Sequence, residues 1–312
     1  MNKFVVSSTP HIKRNWSVST YMMFMILALL PSLICSILFF GLKAFFILGL
    51  STISCYVFDV GFSYMIYGKY DHRNISCIVT GIVLGLCMPV NINLAYVVLA
   101  SFVSIFVGKI LFGGEGKALV NEAALGVALL AGILGSFSTS LCAYVIGGET
   151  IVSPLEYFAN GDYTTIPVLS LLLGNCCGLI GTTSAISALI GGILLCALMI
   201  YDFYIPALSI IGFIVTILLT KGASAFIPEL FAGSFLFVSF FMLPSHSSSP
   251  TIWISKVVYA LLFGVIAAFT RSQYILGEAG VFFCLLLVNL LSPVLDWFFG
   301  VFYRGRGIKK YE

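Results

Sequence analysis

The sequence predicts an all-α integral membrane protein of about ten transmembrane helices, arranged as two five-helix repeats. Of 312 residues, 60% are apolar and only 9% charged, against roughly 45–50% and about 25% in soluble domains. Mean hydropathy is +1.12, and apolar runs of spanning length recur along the whole chain, as a hydrocarbon core of about 30 Å demands. The lipid bilayer is therefore the surrounding medium. A net charge of +3 is too small to imply nucleic acid as a partner.

The runs follow in order. A polar, basic segment (1–20) leads into Tyr21–Gly41, Ala44–Ile66, Ile75–Val90, Leu94–Phe112 and Ala123–Gly147, which fill a first half (21–147). A polar stretch (148–165) separates them from Ile166–Ile200, Ile205–Thr220, Phe226–Leu243, Ile254–Thr270 and Val281–Tyr303, which fill a second half (166–303). The Ile166–Ile200 run is too long for one helix, and Gly174, Gly178 and Gly181 predict a short entering piece before a full span. Such broken backbone is tolerated at membrane depth only under protein cover. The halves echo each other where Gly81–Pro89 and Gly233–Pro244 both run apolar into proline.

Orientation follows from lysine and arginine. Lys3, Lys13 and Arg14 precede the first run, and Arg304, Arg306, Lys309 and Lys310 form a basic tail (304–312), which places both termini in the cytoplasm of a prokaryotic cell membrane. Lys69, Arg73 and Lys117 also fall inside. The 148–165 loop carries Glu149, Glu156 and Asp162 without a base, so it lies outside. Lys43, Lys221 and Arg271 fit less well, because they fall on external connections.

Ionisable groups at membrane depth are costly and point to function or internal pairing. Asp59, near the end of the second run, is either an interfacial acid paired with Lys69 or Arg73, or part of an ion pathway. Lys109 is expected to snorkel to the interface. Glu229 and Asp296, each following a proline, are either helix-terminal surface acids or ion ligands. Nine cysteines lie in apolar runs without ligand spacing and are expected to be buried free thiols, with vicinal Cys176 and Cys177 the pair to watch. His11, His72 and His246 are too far apart to suggest a metal, and none is expected; no nucleotide-binding fingerprint is present either.

Several motifs then share one resemblance. Residues 9–32 (TPHIKRNWSVSTYMMFMILALLPS), 79–89 (VTGIVLGLCMP), 108–126 (GKILFGGEGKALVNEAALG), 178–192 (GLIGTTSAISALIGG), 233–243 (GSFLFVSFFML) and 288–298 (VNLLSPVLDWF) resemble, in order and spacing, the RnfD family, the D subunits of the Rnf electron-transport complexes. The B subunit of the sodium-translocating NADH:quinone reductase is a more distant match.

The resemblance implies a ten-helix component of a translocase complex, inactive alone, that relays electrons through a flavin and couples redox to sodium or proton movement. It implies other Rnf-type subunits and a flavin transferase as partners. It also implies flavin mononucleotide (FMN) attached through its phosphate to a threonine in SGATPL. The matching stretch is TIVSPL (150–155), which puts Ser153 at the acceptor position, followed by Pro154. The bland alternative for Ser153-Pro154 is a helix cap. The family's Gly-Glu-Thr-Ser turn reads Gly181, Thr182, Thr183, Ser184, and these also join the cofactor-binding candidates.

Other departures from the family pattern are Asn-Pro-Ala become Asn121-Glu122-Ala123, an aspartate become Ser245, and a glutamate become Ala279 beside Glu278. These changes motivate a second hypothesis, a scaffold component of such a complex without flavin. The repeat pattern motivates a third, a small-solute channel or transporter.

Overall fold

The computed structural model describes residues 18–68, 75–114, 116–135, 142, 144–146, 149–151, 153–274 and 276–308. Lys3, His11, Lys13, Arg14, Lys69, His72, Arg73, Lys309 and Lys310, on which much of the charge-based orientation rests, lie outside them.

The fold is helical. Among the described residues three helices are long and apolar enough to cross a membrane, and shorter apolar helices of 10–17 residues accompany them. The first, α1 (Val18–Tyr67), runs 50 residues, or about 75 Å at 1.5 Å per residue, more than twice the hydrocarbon thickness. Gly41, at φ 63° and ψ −144°, interrupts it and divides two arms. The half-length α2 (Ser76–Leu86) follows, then α3 (Leu94–Ile105), which runs into a π-helical turn over Phe106–Ile110, and α4 (Glu122–Ile133). Asn93 and Asn121 start α3 and α4 by accepting the N–H groups of Ala95 and Ala124, the work expected of N-cap side chains.

A small antiparallel hairpin, β1 (Tyr144–Ile146) with β2 (Glu149–Ile151), accompanies the helices. It leads into α5 (Pro154–Ala159), with Ser153 in the cap position and Pro154 opening the helix. α6 (Val168–Leu173) ends at Gly174, whose φ of 101° is left-handed, and the chain stays non-helical until Ser184 caps α7 (Ala185–Ala197). The short entering piece read from the glycines is therefore present, and the helix after it runs 13 residues, short of a full span. α8 (Tyr204–Thr220), α9 (Phe226–Phe231), α10 (Phe235–Phe237) with a π-helical turn over Val238–Met242, α11 (Trp253–Ser272) and α12 (Gly280–Ile308) complete the fold.

The two non-helical stretches pair in the core. Ile180 N–H donates to Met88 O at 2.9 Å and Gly181 N–H to Leu86 O at 2.7 Å, beside a bridge between Pro89 and Leu179. All these residues are buried, so each broken helix supplies hydrogen bonds that lipid could not. Glycine is required at 181, because a Cβ there would stand 2.5 Å from Leu86 Cβ. Around this centre α1 packs on α2, α3 and α7, while α11 packs on α8 and α12, and α4 meets α12.

Candidate functional site

Ser153 is buried, 1% exposed, at the entry of α5. Its hydroxyl donates a short hydrogen bond to Glu278 Oε1, from the connection between α11 and α12. Arg271, in the last turn of α11, lies nearby and donates from Nη1 to the carbonyl of Glu229. Lys221, just past α8, contacts Glu229 Oε1 at 2.5 Å. Two bases from helix ends thus meet two acids, one of which, Glu278, accepts from the Ser153 hydroxyl. Lys221 and Arg271, the misfits of the charge-based topology, are explained: they are held by buried carboxylates and do not act as free topology charges.

Four buried polar atoms here have no hydrogen-bond partner among the described residues: Glu229 Oε2, Arg271 Nε, Arg271 Nη2 and Glu278 Oε2. Gly233, at φ 63°, keeps the space between them open, since a Cβ there would lie 2.7 Å from Arg271 Nη2 and 3.0 Å from Glu278 Oε2. Burial pushes the Glu278 carboxyl above the usual range, while Ser153 and Arg271 pull it back. The buried guanidinium already faces the Glu229 and Glu278 carboxylates, and its Nε and Nη2 remain able to donate to a further acceptor beside Ser153.

Glu229 is not a surface acid: it is 1% exposed and paired. Asp296 is not helix-terminal: it lies inside α12, half-buried, and accepts the N–H groups of Thr251 and Ile252 at the entry of α11. The Gly181–Ser184 turn is buried, but its bonds run elsewhere. Gly181 is held by α2, Thr182 Oγ1 donates to Leu179 O at 3.5 Å, Thr183 O receives Cys176 Sγ, and Ser184 Oγ donates to Leu172 O at 3.2 Å.

Asp59 belongs to a second, separate cluster. Its expected partners Lys69 and Arg73 lie outside the described residues; among the described ones Lys109 pairs with it at 2.9 Å. The expected snorkelling of Lys109 is thereby corrected: its side chain is 3% exposed and also donates to Ser76 Oγ at 3.0 Å. The π-helical turn carrying it sits against α4, with a Cβ at Gly108 only 3.0 Å from Glu122 Cα.

The profile of the NQR2, RnfD, RnfE family matches residues 5–301. This chain belongs to that family. It is 29% identical over 297 residues to the D subunit of the Na(+)-translocating ferredoxin:NAD(+) oxidoreductase complex of Acetobacterium woodii, covering 94% of this chain and 92% of that one. It is 26% identical to the D subunit of the proton-translocating ferredoxin:NAD(+) oxidoreductase complex of Clostridium ljungdahlii, covering 95% of each. A third relative, the B subunit of the Na(+)-translocating NADH-quinone reductase of Ectopseudomonas mendocina, is 27% identical over 70% of this chain and 58% of its own. The order of similarity follows the motif resemblance, with the D subunits matched over more of their length than the B subunit.

Among the site residues, Lys221 and Arg271 carried a sequence signal in their misplacement, and Glu278 in its one-position offset from the family's glutamate. Their convergence on Ser153 carried none, since Glu278 is 125 residues away.

Proposed function

We propose that this chain is the D-type membrane component of an Rnf-type ion-translocating oxidoreductase, carrying flavin mononucleotide esterified through its phosphate to Ser153. The observation that carries the proposal is the cradle at Ser153, where a buried hydroxyl faces Glu278 and the open donors of Arg271. When bound, the flavin supplies the electron chemistry. The chain's own residues do the rest. Arg271 Nε and Nη2 donate to the phosphate oxygens, while Lys221 pairs with Glu229. Glu278 orients the Ser153 oxygen, and the apolar packing of Leu155 and Phe158 keeps water out. The buried Thr182, Thr183 and Ser184 line the family's second flavin motif.

The role places the chain among other Rnf-type subunits, with a flavin transferase acting on the external 148–165 loop and both termini cytoplasmic. Ten passes in two five-helix halves (21–147 and 166–303) suit the fold. The break at Gly41 makes two passes of α1, and α2 and the Phe235–Met242 segment both run towards proline. The helices that follow each, α3 with its π-helical turn and α11, both carry a buried base near their end, Lys109 and Arg271. Asp59 and Glu229 then lie on cation-handling clusters, one in each half.

The test is in-gel flavin fluorescence of the denatured chain, coexpressed with its flavin transferase. A band present in the wild type and absent in Ser153→Ala is expected. A dark wild-type band would refute covalent attachment and favour a chain that holds flavin without a bond, or none.

A further inference from the structure

The Ser153 hydroxyl is held as a nucleophile beside a base. A serine oxygen attacks phosphorus poorly while it keeps its proton, and a base within hydrogen-bond reach is what activates it. Ser153 Oγ already donates to Glu278 Oε1. Both residues are buried, at 1% and 3% exposed, so water has little access to take the proton in place of the carboxylate.

The carboxylate is itself fixed. Glu278 lies in the short connection between α11 and α12, where Ser234 Oγ donates to its carbonyl at 3.3 Å. The turns around it close through Ala279 N–H to Leu276 O at 3.1 Å and Gly280 N–H to Gly277 O at 3.3 Å. Arg271 interacts electrostatically with its side chain. Nucleophile, base and the charged group that steadies the base thus come together from three parts of the chain, the arrangement that activated hydroxyls share.

Charge points the same way. Among the described residues, Lys221 and Arg271 face Glu229 and Glu278, two positive groups against two negative ones. Glu156, in the first turn of α5, is a further carboxylate nearby, since Tyr274 interacts with both Glu156 and Glu278. A phosphodiester on Ser153 brings one more negative charge into this buried place, and an uncompensated buried charge is costly. The proton that leaves Ser153 cancels that addition when it stays on Glu278.

We propose that Glu278 is the general base for flavin attachment at Ser153 and keeps the proton once the ester has formed. The assignment rests on the flavin attachment proposed above and adds to it the residue that makes the acceptor reactive. The donor is a flavin dinucleotide, in which a pyrophosphate joins the flavin phosphate to a nucleotide. Ser153 Oγ bonds to the flavin-side phosphorus, the bridging P–O bond breaks, and the nucleoside monophosphate leaves with the bridging oxygen. The Ser153 proton passes to Glu278 Oε1, and nothing is oxidised or reduced. Neutral Glu278 then donates to an oxygen of the ester, so the net charge of the site is the same before and after.

The test follows flavin loading of the full-length chain in cells that coexpress the transferase and supply the dinucleotide, with the flavin-bearing fraction read by intact mass from induction onwards. Glu278→Gln keeps an oxygen that accepts from Ser153 but cannot take its proton. It is expected to load about a hundredfold more slowly than the wild type, with Glu278→Asp in between. Loading of Glu278→Gln at the wild-type rate would overturn the proposal and leave Glu278 a group that only orients the hydroxyl. The wild type is also measured by itself, by infrared difference spectra between loaded and unloaded chain with isotope-labelled glutamate. A carboxylic-acid C=O band is expected to appear on loading, and its absence would overturn the proposal even where Glu278→Gln does not fold. A wild-type chain that takes up no flavin would remove the attachment at Ser153, and the role of Glu278 with it.

Discussion

Lys109 Nζ lies 2.9 Å from Asp59 Oδ1, with both side chains almost wholly withdrawn from solvent. The pair joins the second arm of α1 to the π-helical turn after α3. That turn adds a residue to the helical register, which re-aims the lysine inwards; π-helical turns recur at functional sites.

Breaking this pair is expected to be worse than deleting it. Asp59→Asn or Lys109→Met leaves one buried charge uncompensated, at a cost of about 3–5 kcal/mol. The double variant Asp59→Leu/Lys109→Leu is expected to recover most of the loss. Thermal unfolding in detergent, followed by exposure of the buried Cys55 and Cys77 thiols, measures both. Equal losses in the single and double variants would show that the charges act through other partners.

The exposed pair of Asp202 and Lys256 makes the opposite case. Lys256→Ala is expected to cost at most about 1 kcal/mol, because solvent screens it. The lysine holds the Asp202 carboxyl below the usual range. The contribution is therefore present at neutral pH, above the unfolded carboxylate pKa, and is lost as pH falls through the lowered folded value. A stability difference between wild type and Lys256→Ala that widened on acidification would contradict this sign.

Arg271 is expected to matter for flavin loading more than for charge alone. Its two open donors belong to a planar fork that a lysine cannot copy. Intact-mass measurement of the coexpressed chain is expected to show the flavin-bearing fraction falling in Arg271→Lys and falling further in Arg271→Gln. Full loading of Arg271→Gln would remove the guanidinium from the phosphate cradle.

Gly181→Ala is expected to destabilise by about 1–3 kcal/mol, the range for overpacking a filled core, because the new methyl meets Leu86. Leu86→Ala in the same chain removes Leu86 Cγ and Cδ2, at 2.9 and 2.5 Å from the new methyl, but keeps Cβ at 2.5 Å, so the double variant is expected to lose only somewhat less than the two single effects added. Strict additivity in the unfolding midpoints would show that the two positions do not touch.

The helical membrane class, the apolar elements and the family were legible in the sequence, because hydropathy over some twenty residues is set locally by the lipid core. The interruption at Gly174–Gly181 was legible as well, since clustered glycines act on backbone conformation where they stand. Asp59, Glu229 and Ser153 stood out as costly or motif-bearing residues, but their surroundings did not. The Lys109 that pairs with Asp59 lies 50 residues further on and reaches it only because α3 packs along α1.

The same division holds at Ser153. Local chemistry made it the entry to a helix, with proline behind it, and the motif made it a phosphate acceptor. Its burial against Glu278 and Arg271 was decided by helices whose ends meet only after packing, 118 and 125 residues further on. Composition and pattern fix where a chain becomes helical and what solvent it enters. Which buried charges cancel, and which remain to meet a ligand, depends on pairings made across the core, where the cost of an unpaired charge selects the partner.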